Sequence, residues 1–220
     1  MKPLPRIAIG GVHPKVDYRP FLWGLLQYLE ETGLQTQCFY SACRFPAVDG
    51  ASSITGRTYR HLDARLMSSE ICREVFLHGA SGADLSIVEA DSRCVGGLNG
   101  QLADWLELPR IGVIDVEKLD PCQVPRRPRH LDGLFLTGAP NESEFARQRL
   151  RWETLWNVPV LGGLVGGAHI KAILDRLPAG SRPSRELVRA LCSQLVLTRD
   201  FSSILRLASA PCWGGSQHLF

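Results

Sequence analysis

The residues best suited to chemistry fall in three short stretches: Gly11, Lys15 and Arg19; Arg57, Arg60, His61 and Asp63; and Glu89. Binding a nucleotide phosphate requires glycines whose backbone N–H groups surround it, a lysine to reach it and a Ser or Thr hydroxyl for magnesium. The first stretch reads Gly10-Gly11-Val12-His13-Pro14-Lys15-Val16-Asp17-Tyr18-Arg19-Pro20. It has a lysine, but no glycine after Gly11, and no Ser or Thr follows Lys15. Pro14 removes a donor N–H, and Asp17 repels phosphate. An altered cradle built on Gly11, Lys15 and Arg19 is one reading. An ordinary strand-to-helix turn with Pro20 near the start of the helix is the other, and the residue types favour it.

The second stretch, Gly56-Arg57-Thr58-Tyr59-Arg60-His61-Leu62-Asp63, packs three cationic or titratable groups into five residues. Arg57 or Arg60 could hold a carboxylate through two parallel N–H bonds, with His61 and Asp63 beside them. A solvated surface loop in which Asp63 opens the next helical region explains the same residues equally well. Glu89 closes an apolar run, a position from which a carboxylate can orient Mg²⁺ or a metal-bound water. It could equally pair with Arg57 or Arg60. Asp91, Arg93 and Gly96-Gly97 follow it.

Other constellations carry less. Cys38 and Cys43, even with His13, His61 and Cys94 nearby, include no paired C-x-x-C, so no metal site is expected. No G-x-S-x-G elbow supports a serine nucleophile. Arg126-Arg127-Pro128-Arg129-His130 reads as a solvated connector, and Trp152 and Trp156 as packing residues on one helix face.

The elements that must position these groups alternate between strand and helix patterns, as in βαβ units. Strands are expected at 6–11, 37–40, 84–89, 110–115, 133–136 and 158–164. Helices are expected at 21–31, closed by Gly33, at 68–79 behind a Ser68 or Ser69 cap, and at 98–106. Others are expected from Asn141 to about Trp156, near 168–177, over 184–198 and near 201–208. The stretch 41–63 reads as a long irregular loop. The sum is one three-layer α/β domain with five or six strands in a mostly parallel sheet. In such sheets ligands sit at the carboxyl ends of the strands, which singles out loops 11–19, 41–63 and 89–97.

Composition bounds the class. The 220 residues suit one domain. Hydrophobic residues are 45% and charged residues 21%, which argues against disorder. A net charge of +3 gives no reason to expect nucleic acid, and no apolar run approaches the ~20 residues that cross a bilayer. The seven scattered cysteines suit a reducing cytoplasm.

The order of segments resembles the N-terminal, ATP-binding domain of cobyrinic acid a,c-diamide synthase, in the dethiobiotin-synthetase-like branch of P-loop proteins. Thr55-Gly56-Arg57-Thr58-Tyr59-Arg60-His61-Leu62-Asp63 is similar to that family's TGRPSRNLD. Gly82-Ala83-Asp84-Leu85-Ser86-Ile87-Val88-Glu89 is similar to GADLAVIEG, and Val158-Pro159-Val160-Leu161-Gly162-Gly163-Leu164 to GVPVLGALP. Phe201 to Ala208 is similar to the closing helix LDALLALA. The resemblance runs from about residue 6 to 211 and implies a three-layer P-loop-type fold. In the family, ATP and Mg²⁺ activate carboxylates of a corrin precursor, and a C-terminal glutaminase domain supplies ammonia.

The sequence departs from the family at the phosphate loop. Tyr18 and Arg19 stand where the family has Lys and Thr, and Lys15 and Asp17 where it has glycines. The family's acidic GPDFIDP segment is Ser41-Ala42-Cys43-Arg44-Phe45-Pro46 here. The expectation is a relative that has lost ATP hydrolysis and needs no cofactor. It would act by binding a small anionic ligand or a partner subunit, with a homodimer among the possible states. No glutaminase domain is expected in this chain. The alternative is an ATP- and Mg²⁺-dependent amidating synthetase with a divergent loop, with Glu89 as its catalytic carboxylate.

Overall fold

The computed structural model describes residues 4–13, 16–41, 50–90, 100–119, 124–166, 182–198 and 201–209. Their centre is an eight-stranded sheet: β1 (Arg6–Gly11), β2 (Thr36–Tyr40), β3 (Arg60–His61), β4 (Leu85–Glu89), β5 (Arg110–Asp115), β6 (Leu131–Ala139), β7 (Val160–Val165) and β8 (Leu195–Leu197). The spatial order is β3-β2-β4-β1-β5-β6-β7-β8. All neighbours are parallel except β7 and β8.

Helices cover both faces, which gives the expected three layers. One face carries α1 (Arg19–Glu31), α2 (Gly50–Thr55), α6 (Arg185–Ser193) and α7 (Phe201–Ala208). The other carries α3 (Ser69–Ala80), α4 (Gln101–Trp105) and α5 (Glu142–Trp156). Each face has its own core. Leu22, Leu25, Leu26 and Leu29 of α1 are fully buried against Ile7, Ile9 and Ile87. Phe76, Trp152 and Trp156 pack with Ala8, Val88 and Leu134 on the other side. The leucines follow the three- and four-residue spacing of one helical stripe, and burying each stabilises by roughly 2 kcal/mol.

The local signals that end the helices act as expected. Gly33 takes φ +80, and the N–H groups of Gly33 and Leu34 return to the carbonyls of Glu30 and Leu29, a Schellman ending. Ser68 caps α3, and Asn141 caps α5 by accepting the Glu144 N–H at 2.9 Å. The Glu144 carboxylate turns to Arg147 and Gln148, so only the asparagine half of the capping box is seen.

Three expectations are corrected. The described residues form eight strands, not five or six. The stretch 41–63 is not all loop, because it contains α2 and β3; the two residues of β3 pair with Phe39 and Tyr40, too short a run to show periodicity. The helix expected over 184–198 stops at Ser193, and Leu195–Leu197 turns back antiparallel to β7. The helix expected near 168–177 lies outside the described residues.

Candidate functional site

Strand order fixes where a ligand can sit. The connection from β1 runs through α1 toward β2, and the connection from β4 runs through α4 toward β5 on the opposite face. β1 and β4 are neighbours, so the crevice where the direction reverses opens at Gly10, Gly11 and Glu89. The strands close tightly there. A Cβ on Gly10 would stand 2.2 Å from the Ala90 carbonyl oxygen, so only glycine fits beside β4.

Glu89 lies on this edge, 4% exposed, in register with Ile9 on one side and Tyr40 on the other. Strand alternation puts it on the same face as Leu85 and Ile87, below α1. Its backbone carbonyl accepts both the N–H of Ser41, at 3.3 Å, and the Ser41 hydroxyl, at 2.5 Å. Tyr40 stacks edge-on against Tyr59 and against His61, with centroids 6.3 and 5.7 Å apart. His61 and Asp63 are thus brought to the same end of the sheet as Glu89. Asp63 is buried and accepts the Arg65 N–H at 2.8 Å, while its own carbonyl accepts the N–H groups of Leu66 and Met67. It builds the turn that leads into α3.

Arg57 is not brought to Glu89. Its Nε donates to Gln37 Oε1 at 3.1 Å, near the start of β2. Its remaining nitrogens donate to the carbonyls of Gly79, Ser81 and Gly82, where α3 ends. It closes a helix C-terminus at the opposite, amino edge of the sheet. Arg60 lies over α3, with its Cδ 2.4 Å from where a Cβ on Gly79 would stand. It is exposed and has no ion-pair partner among the described residues.

On the other side of β1 a charged cluster occupies the carboxyl edge. Arg19 donates from Nε and Nη2 to the two carboxylate oxygens of Asp17, at 2.8 and 2.6 Å. Asp17 Oδ1 also accepts the backbone N–H of Arg19, the first of α1, at 3.2 Å. Burial pushes the Asp17 carboxyl up, but the Arg19 bonds and charge, helped by Lys118, hold it below its ordinary value. Lys118 also lies 3.5 Å from Asp115, at the end of β5. Asp115 is buried, and its Oδ1 accepts the Glu117 N–H at 3.2 Å. Pro20, inside the first turn of α1, supplies no N–H. Gly11 is packed against Val16, whose Cβ would be 3.0 Å from a Cβ at that glycine. Lys15 lies outside the described residues, as do Asp91, Arg93, Gly96 and Gly97.

Asp115 and Lys118 are absent from the reading of the sequence above. The signal that singled out Glu89, an acid closing an apolar strand, was present at Asp115 too. A hollow of about 450 Å³ opens beside them, lined by Val116, Glu117, Gly138, Asn141 and Glu144. Glu117 and Glu144 bring carboxylates to its lining, the latter already paired with Arg147. Among the described residues, no group of His, Cys, Asp and Glu side chains is arranged to hold a metal ion, and no helix is long and apolar enough to cross a membrane.

The chain is 26% identical over 181 residues to cobyrinate a,c-diamide synthase from Archaeoglobus fulgidus, a match covering 72% of this chain and 38% of that protein. It is 28% identical over 192 residues to hydrogenobyrinate a,c-diamide synthase from Streptomyces coelicolor, covering 75% of this chain and 39% of that one. The matched region thus spans about two-fifths of the length of these curated relatives. They bear out the resemblance carried by the ordered segments. No protein-family model matches. Among solved structures, the signal recognition particle receptor FtsY from Elizabethkingia anophelis superposes with a TM-score of 0.47 at 12% identity, covering 96% of this chain and 65% of that one. The Signal Recognition Particle 54 kDa protein from Aeropyrum pernix K1 gives 0.46 at 13% identity, covering 92% and 48%.

Proposed function

We propose that this chain, similar in sequence to part of the a,c-diamide synthases, is a cytoplasmic binding protein that does not hydrolyse ATP. One observation carries the reading. The first N–H of α1, and the guanidinium beside it, already hold the carboxylate of Asp17. A helix start receives phosphate through free N–H groups and its positive end. Here the first N–H is taken, Pro20 offers none, and Asp17 sets a negative charge where a phosphate would come. The described residues of this turn therefore do not suit a triphosphate.

Arg60 supports the ligand half of the proposal, because its guanidinium is exposed and takes part in no ion pair among the described residues, whereas that of Arg57 is committed to four neutral acceptors. It is the group we assign to a small anion such as a carboxylate. Calorimetry and thermal shift with Mg·ATP should give no signal. Micromolar binding would sink the reading. In a screen of small polycarboxylates, any stabilisation of the parent should vanish in Arg60→Ala.

Glu89 favours a second reading, an ATP-dependent carboxylate-amidating synthetase with a divergent phosphate loop. A carboxylate 4% exposed at the switch point is well placed for such chemistry. In that case Lys15→Ala and Glu89→Ala would each abolish ATP turnover while leaving the fold intact. Turnover unchanged in both would exclude this second reading.

A further inference from the structure

Away from the carboxyl edge, a groove of about 550 Å³ runs between the end of α1, α2 and the start of α6. Its floor is apolar, formed by Ile54 and Val188. One wall carries Glu30 and Glu31, the last two residues of α1. The other carries Arg182, Arg185 and Arg189. All five charged residues are exposed. Among the described residues no ion pair joins the walls. Among the described residues Glu31 accepts only neutral donors, the Gln27 amide at 2.9 Å and the Cys192 thiol at 3.6 Å.

The charges are also placed against their own helices. A helix C-terminus is its negative end and favours cations, yet α1 finishes on two carboxylates with no basic residue in its last turn. A helix N-terminus is its positive end, yet Arg182 and Arg185 flank the start of α6, where Glu186 offsets only part of the mismatch. Neither wall therefore serves the helix that carries it, which points to charge supplied from outside. A purely anionic or purely cationic occupant would be repelled by one wall. A second copy turned about a two-fold axis would set arginines against glutamates twice over, because an isologous contact repeats every pairing.

We propose that this groove is the seam of a homodimer, in which Glu30 and Glu31 of each copy face Arg182, Arg185 and Arg189 of the other. Sedimentation equilibrium of the intact chain at low salt tests it. A dimer is expected, and its dissociation constant should rise about tenfold or more as NaCl goes from about 50 to about 500 mM. The variants R182E/R185E/R189E and E30R/E31R should each be monomeric, since each makes both walls alike in charge. An equimolar mixture of the two should dimerise again, because every contact then sets acid against base. Circular dichroism confirms folding, and the salt dependence of the parent tests the seam independently of any variant. The parent remaining monomeric at about 100 μM, a dimer indifferent to salt and to both variants, or a mixture that stays monomeric would each overturn the proposal.

Discussion

Arg57→Ala separates two roles that the sequence left equal, anion binding and support of the fold. The guanidinium makes four hydrogen bonds, to Gln37 Oε1 and to the carbonyls of Gly79, Ser81 and Gly82. The bonds to Ser81 and Gly82 are exposed, so water replaces them and each contributes about 0.5 kcal/mol or less. The bond to Gly79 is long, 3.4 Å, and adds little. Gln37 decides the magnitude. It is 2% exposed, and its amide nitrogen is already committed to the carbonyls of Cys38 and Thr58. Removing Arg57 leaves its Oε1 without that partner, at about 1–2 kcal/mol. The total is about 2–3 kcal/mol, a fall in Tm of about 5–10 °C for a chain of this size. Urea unfolding followed by fluorescence measures it. Arg57→Lys should recover less than half, because an ammonium cannot reproduce the guanidinium fork. The double variant Arg57→Ala/Gln37→Leu should be less damaging than additivity allows, since it removes the stranded acceptor. A variant within about 0.5 kcal/mol of the parent would refute the assignment of Arg57 as a helix clasp.

Four other outcomes are expected. Asp17→Asn should lower stability near neutral pH. The parent's advantage should shrink as pH falls through the depressed Asp17 pKa, because a carboxyl held low stabilises only while ionised; urea midpoints at stepped pH measure this. Asn141→Ala should cost about 1 kcal/mol, and Ser68→Ala less, since its capping contact is longer at 3.4 Å; urea unfolding compares the two. Gly10→Ala should destabilise by several kcal/mol in the same assay, because its methyl group meets the Ala90 carbonyl and must part β1 from β4. Burial and the Glu31 carboxylate push the Cys192 thiol up to about 11, so mass-resolved alkylation at pH 8 should run about a hundredfold slower there than at an ordinary thiol, and faster in Glu31→Gln.

Much of the scaffold is legible before any tertiary contact is known. The leucine stripe of α1, the Gly33 ending, the Ser68 and Asn141 caps and the acid closing β4 are local patterns. Backbone geometry and nearest-neighbour hydrogen bonds enforce such patterns over a few residues. β3 and β8 are too short to show a period. They exist because β2 and β7 offer unpaired edges.

The site divides in the same way. The chain itself specifies Glu89 at the carboxyl end of an apolar strand, and a proline and an aspartate where a phosphate loop would need open N–H groups. Arg57 and Arg60 look alike in sequence, three residues apart. Only the fold sends Arg57 to Gln37 and to the end of α3, 20 to 25 residues away along the chain, and leaves Arg60 exposed. Lys118 lies near enough to act on the charge of Asp17 because β1 and β5 are neighbours, although about a hundred residues separate the two. Spacing along the chain carries information only over the few residues whose geometry the backbone couples. Which charge finds which partner is set by strand order, and strand order is a property of the whole sheet.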